Sequence, residues 1–155
     1  MPQAEHNSAP TPDRSPGQRL RDAVAAEAPL QVPGVINAYC ALLAERSGFS
    51  ALYLSGAGVA NASFGWPDLG YTTLANVAED TRRVTQATAL PLLVDADTGF
   101  DDPGETVNTL IDAGAGGMHL EDQVEQKRCG HRPGKHLVPR GVMCERVRAA
   151  VCVRC

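Results

Sequence analysis

From Val35 onward the chain repeats one pattern: a short apolar run, a polar or glycine-rich closure, then a stretch with helical periodicity. Val35-Ile36 closes at Asn37, and Ala51-Leu52-Tyr53-Leu54 closes at Ser55-Gly56-Ala57-Gly58. Leu92-Leu93-Val94 closes at Asp95-Ala96-Asp97-Thr98-Gly99, and Met118-His119-Leu120 at Glu121-Asp122. Strands this short and apolar are those of a parallel sheet covered by helices on its faces. The hairpin turns that an antiparallel sandwich requires are absent, so the pattern predicts a parallel α/β fold. Helices are expected over about 16–28, 38–46, 73–88, 105–113 and 142–151. Ser15 offers an N-cap before Pro16, Gly48 and Gly114 act as stops, and Leu74, Val77, Thr81 and Val84 mark one apolar side. A loop containing Trp66-Pro67-Asp68 is expected between the second strand and its helix.

A chain of 155 residues has room for one domain. With 18 acidic and 14 basic residues it gives no reason to expect a nucleic-acid or anionic-membrane partner. No apolar run approaches a membrane span, and the N-terminus has no apolar signal core, so a soluble, cytoplasmic protein is expected. Residues 1–14 read as a disordered arm rich in Pro and charge. The five cysteines are too few and odd in number for a disulfide framework. Cys40 reads as a small buried apolar residue, and Cys152-x-x-Cys155 lacks a second pair for zinc. A zinc module of Cys129, His131, Cys144 and the terminal pair is the weakest of the metal readings.

The chemistry gathers at the carboxyl ends of the strands, where parallel α/β folds place their sites. Residues two apart share a face, which aligns Leu93 with Asp95 and, if the strand persists, Asp97. By the same parity Tyr53 pairs with Ser55, and His119 with Glu121. Three carboxylates at close quarters call for a hard cation, and Mg²⁺ suits oxygen ligands of this kind. The competing reading of Asp95-x-Asp97 is an exposed polar turn. Ser55-Gly56-Ala57-Gly58 presents backbone N–H groups to a carboxylate or phosphate, or is a plain tight turn. It has neither Walker nor dinucleotide spacing. In Lys127-Arg128-Cys129-Gly130-His131-Arg132 a thiol lies among cations, which favour the thiolate; a solvated basic loop is the alternative. His131 could be a ligand, an acid or a solvated loop residue, though beside Cys129 tuning the thiol is the favoured role, and Arg128 and Arg132 could pair with substrate carboxylates.

Three segments together resemble the isocitrate lyase and phosphoenolpyruvate mutase superfamily: Leu93-Val94-Asp95-Ala96-Asp97-Thr98-Gly99-Phe100, Met118-His119-Leu120-Glu121-Asp122-Gln123 and Lys127-Arg128-Cys129-Gly130-His131-Arg132-Pro133. Tyr53-Leu54-Ser55-Gly56 and Pro67-Asp68-Leu69-Gly70 add to it upstream. The resemblance implies a (β/α)8 TIM-type barrel and a Mg²⁺-dependent carbon–carbon lyase of propionate catabolism, cleaving 2-methylisocitrate to pyruvate and succinate. Isocitrate or a dimethylmalate-like acid is the alternative substrate. It implies Asp95 and Asp97 as metal ligands, with Glu121 and His119 beside them and Asp68 close to the metal shell. Ser55, Gly56 and Ala57 would hold a substrate carboxylate. Cys129 and Gly130 would ride a mobile loop, Cys129 as general acid, and Tyr53 would take part in the alkoxide proton transfer. A homotetramer acting on di- or tricarboxylates is implied as well. Such a barrel runs to about 250 residues, so the expectation here is its first half over residues 15–151, with 152–155 an aberrant tail. The rival expectation is a non-catalytic chain that binds Mg²⁺ or a dicarboxylate, or associates with itself or another chain.

Overall fold

The computed structural model describes residues 14–129 and 132–153. The arm expected over 1–14 therefore lies outside the described residues except for Arg14, which ion-pairs with Asp22. Ser15 accepts a hydrogen bond from the Gln18 N–H at 3.2 Å and opens α1 (Pro16–Ala26). Then follow β1 (Gly34–Val35), α2 (Ala38–Arg46), β2 (Leu52–Leu54), α3 (Gly56–Gly58), α4 (Leu74–Ala87), β3 (Leu92–Asp95), α5 (Pro103–Asp112), β4 (Gly117–His119) and α6 (Arg140–Cys152). The strands form one parallel sheet in the order β1-β2-β3-β4, the α/β arrangement expected for half of a (β/α)8 barrel.

Register explains both faces of this sheet. Val35, Leu54, Val94 and Met118 stand side by side in one row. The first three are at most 1% exposed and pack under the helices. Each apolar side chain so buried contributes about 2 kcal/mol. On α4, Val77, Ala78, Thr81 and Val84 form the buried stripe, at helical spacing. The neighbouring row, Gly34, Tyr53, Leu93 and Gly117, faces the other way and leads directly to Asp95 opposite His119. Among the described residues β1 and β4 each pair on one side only.

Three local features differ from expectation. The segment after β2 is not a turn: Ser55 caps α3, which runs on as a π-helical turn over Val59–Ser63. Gly56-Ala57-Gly58 has poor helix propensity, which the Ser55 cap and the packing of buried Val59 and Ala60 offset. The third strand also stops at Asp95, because Asp97 adopts a left-handed backbone with φ 49°. At the C-terminus α6 runs through Cys152, one residue past the expected boundary.

Candidate active site

The cluster begins with the strand register. His119 Nε2 lies 3.0 Å from Asp95 Oδ1. The same carboxylate accepts the Gly56 N–H on Oδ2 and the Asp97 N–H on Oδ1, each at 3.1 Å. Burial alone would raise the Asp95 pKa; His119 and the two N–H donors outweigh it and hold the carboxyl at about 2. Asp95 in turn holds the His119 imidazolium above its ordinary value, against its desolvation. Tyr53 stacks on His119 with ring centroids 5.5 Å apart, its hydroxyl 3.5 Å from Nε2. Burial, followed by the charges of Asp95, Glu121 and Asp97, pushes this phenol well above its usual range, so it remains an O–H donor. Glu121 completes the group: one ligand atom from each of Asp95, His119 and Glu121 lies within 4.8 Å of the others. Among the described residues this is the one cluster of metal-ligating side chains.

Asp97 reaches the cluster by another route than strand parity. A Cβ built on Gly56 would meet Asp95 Oδ2 at 3.0 Å and Asp97 Oδ1 at 3.4 Å, so both carboxylates converge on that glycine. Asp97 ion-pairs with Lys127, whose ammonium also lies 3.0 Å from Asp68 Oδ1. The Lys127 side chain is only 5% exposed. Burial works against its charge, yet Asp97 and Asp68 hold the ammonium well above its ordinary pKa. Burial raises Asp97 as well, and Asp95 and Asp68 add to this against the pull of Lys127. Asp68, Asp95, Asp97 and Glu121 thus face Lys127 and His119, leaving carboxylate charge in excess. Oxygen-rich donors with surplus negative charge fit a hard divalent cation.

The remaining expected residues take these places. Ser55 Oγ accepts the Gly58 N–H at 3.2 Å, which leaves its hydroxyl hydrogen free to donate. The Gly56 N–H is committed to Asp95, and the Ala57 carbonyl accepts from Asn61 Nδ2 at 2.7 Å. Cys129 is half-buried, and its carbonyl accepts the Arg132 N–H at 2.9 Å. Gly130 and His131 lie outside the described residues. Lys127 corrects the sequence reading: its ammonium serves Asp68 and Asp97, so it is not one of the cations grouped around the thiol. No local pattern signals this pairing, because Asp68 lies 59 residues away in sequence. Gln123 was also missed; it is 4% exposed and bonds the Glu121 carboxylate at 2.7 Å. Its position two residues past Glu121, on the same strand-end face, was the available signal. The described cysteines are free, and none joins a ligand cluster among the described residues, so the zinc reading finds no support there.

Residues 20–154 match the family model described as phosphoenolpyruvate phosphomutase. The chain is 55% identical over 141 residues to the 2-methylisocitrate lyase of Escherichia coli (strain K12), covering 88% of this chain and 48% of that one. It thus spans about half the length of the curated relatives it matches. A crystal structure of 2,3-dimethylmalate lyase, a PEP mutase/isocitrate lyase superfamily member, superposes with TM-score 0.83 at 37% identity, over 92% of this chain and 49% of that one. Phosphonopyruvate hydrolase in complex with oxalate and Mg²⁺ superposes with TM-score 0.76 at 25% identity, over 92% and 49%. No helix among the described residues is long and apolar enough to cross a membrane.

Proposed function

The chain belongs to the phosphoenolpyruvate phosphomutase family, within the PEP mutase/isocitrate lyase superfamily, and from that premise we propose that it carries the metal- and acid-bearing part of a carbon–carbon lyase. Its substrate is 2-methylisocitrate, cleaved to pyruvate and succinate in the methylcitrate cycle. One observation carries this reading: Asp95, His119 and Glu121 bring their donor atoms within 4.8 Å at the ends of adjacent parallel strands. Identity of 53–55% to proteins named 2-methylisocitrate lyase supports the substrate.

Asp95 and Asp97 would hold Mg²⁺, with Glu121 and His119 beside it and Asp68 tied to the shell through Lys127. When bound, the ion would polarise the hydroxyl and carboxylate that become pyruvate. The Ser55 hydroxyl and the Ala57 N–H hold one substrate carboxylate above Gly56, whose own N–H stays on Asp95, and Arg128 pairs with another. Tyr53, kept protonated, donates to the substrate oxygen rather than taking its proton at the outset. Cys129, with His131 two residues on in the sequence, gives a proton to the succinate enolate, and closure of the loop around Gly130 excludes water.

The test is pyruvate release from 2-methylisocitrate by the purified chain, alone and with the second half of a 2-methylisocitrate lyase supplied as a separate polypeptide. Mg²⁺-dependent pyruvate, abolished by EDTA and by Asp95→Asn, is the expected outcome. Failure of Mg²⁺ to bind, with no pyruvate in either format, sinks the proposal. Preferential cleavage of isocitrate or a dimethylmalate would move it to a neighbouring lyase. The single-sided pairing of β1 and β4 favours a second reading, in which the chain works only after associating along those edges with itself or another chain.

A further inference from the structure

Resting on the reading above, we propose that Gln123 is a positioning residue that couples the Glu121 carboxylate to the root of the loop bearing Cys129. Its buried side-chain amide makes three bonds. Nε2 donates to Glu121 Oε2 at 2.7 Å and to the Arg128 carbonyl at 2.9 Å, and Oε1 accepts the Arg128 N–H at 3.1 Å. Both donors and the acceptor of the amide are therefore used, and no other side chain of this size offers two donors and an acceptor in that fork. The backbone around it is fixed as well. The Val124 N–H donates to the His136 carbonyl at 3.0 Å, and the Val138 N–H to the Asp122 carbonyl at 2.8 Å. Arg146 Nη1, reaching from α6, donates to the Gln123 carbonyl at 2.8 Å and the Glu121 carbonyl at 3.3 Å.

Two consequences follow from that geometry. Glu121 has freely rotating side-chain bonds, and the Gln123 amide selects the rotamer that brings its carboxylate toward Asp95 and His119. The same amide grips both the N–H and the carbonyl of Arg128, so the loop is anchored up to the residue before Cys129. A change in the placement of the Glu121 carboxylate therefore reaches Arg128 through the Gln123 amide.

The test uses the full chain carrying Gln123→Met, which keeps the length and removes every hydrogen bond, and Gln123→Asn, which keeps the amide but shortens its reach. Thr88→Val is the control, since it breaks a half-buried side-chain bond to Glu45 at the opposite end of β3 from the cluster. Mn²⁺ binding is read by electron paramagnetic resonance, and exchange of the Arg128 amide proton by NMR. Gln123→Met should weaken Mn²⁺ binding about 10- to 100-fold and speed Arg128 exchange about tenfold or more. Thr88→Val should lower the melting temperature and change neither. The Asn variant should shift both readings in the same direction, and it decides the matter if the Met variant does not fold. A variant that moves only one reading, or neither, overturns the coupling. If the unmodified chain binds no Mn²⁺, the proposed function fails, and the coupling is then read by NMR alone: Gln123→Met should shift the Glu121 side-chain resonances and speed Arg128 exchange together, and a change in only one of them overturns it.

Discussion

Replacing Lys127 by methionine removes a buried ammonium while keeping the unbranched stem that fills its slot. The side chain is 5% exposed, its partners Asp68 and Asp97 are 16% and 8% exposed, and the Asp68 contact is 3.0 Å. At an effective dielectric constant of ~20, a 3 Å ion pair is worth about 5 kcal/mol of attraction. Much of that is cancelled by the cost of desolvating the ammonium, a cost the methionine does not pay. What remains is the penalty of leaving Asp68 and Asp97 buried beside Asp95 without a counter-charge, about 3–5 kcal/mol. That is a large part of the 5–15 kcal/mol by which domains of this kind hold together. Urea unfolding in EDTA at neutral pH should show the loss, and adding Asp97→Asn in the same chain should return part of it, since one orphaned carboxylate is then neutral. Mg²⁺ should stabilise Lys127→Met more than the unmodified chain, because the cation replaces the missing charge. A loss below about 1 kcal/mol, or no recovery with Asp97→Asn, refutes the reasoning.

Three further outcomes are expected. Asp95 is held at about 2 by His119 and two N–H donors after overcoming its burial. Its stabilising contribution is therefore present above the unfolded carboxyl value near 4 and is lost as pH falls through about 2, amounting to about 2 kcal/mol in acid unfolding of the cation-free chain. His119, raised by Asp95, contributes in the opposite sense: fully below the unfolded imidazole value near 6.5, and lost as pH rises through its higher folded value. The pair should stabilise most between those limits, and a stability profile that climbs steadily from pH 6 to 9 in EDTA contradicts it. Gly56→Ala places a methyl 3.0 Å from Asp95 Oδ2 and 3.2 Å from its Cγ, so calorimetry should find Mg²⁺ affinity reduced at least about tenfold while the fold persists.

The sheet was legible because each strand carries its own end marker. Asn37 caps α2 through its side chain, accepting from the Cys40 N–H at 2.9 Å, and Thr73 caps α4 with Asn76 in reciprocal bonds. Gly48 and Gly114 take the left-handed conformations that stop helices, with φ of 86° and 91°. These are local signals that the neighbouring residues enforce. The π-helical turn at 59–63 was not legible, since nothing in Val59-Ala60-Asn61-Ala62-Ser63 distinguishes it from a loop until Val59 and Ala60 meet the core.

The cluster divides along the same line. Asp95, His119 and Glu121 could be brought together from parity alone, because register in a parallel sheet converts sequence position into direction. Asp97 obeyed no parity: its left-handed backbone turns it out of the strand, and Lys127 then draws it back to the same glycine as Asp95. The two aspartates of Asp95-x-Asp97 therefore differ in electrostatic setting. One is stabilised as an anion by neighbouring N–H groups and an imidazolium, the other is raised by burial and balanced by a lysine from another loop. A divalent cation entering between them would meet a fixed ligand in Asp95 and a movable one in Asp97. Lys127 holds Asp97 through Oδ1, so a cation that takes this oxygen competes with the Lys127 segment for it. Mg²⁺ should consequently speed amide exchange at Lys127, whose N–H bonds the Glu125 carbonyl at 2.7 Å, and exchange that slows there on Mg²⁺ addition would show that Asp97 keeps both partners at once.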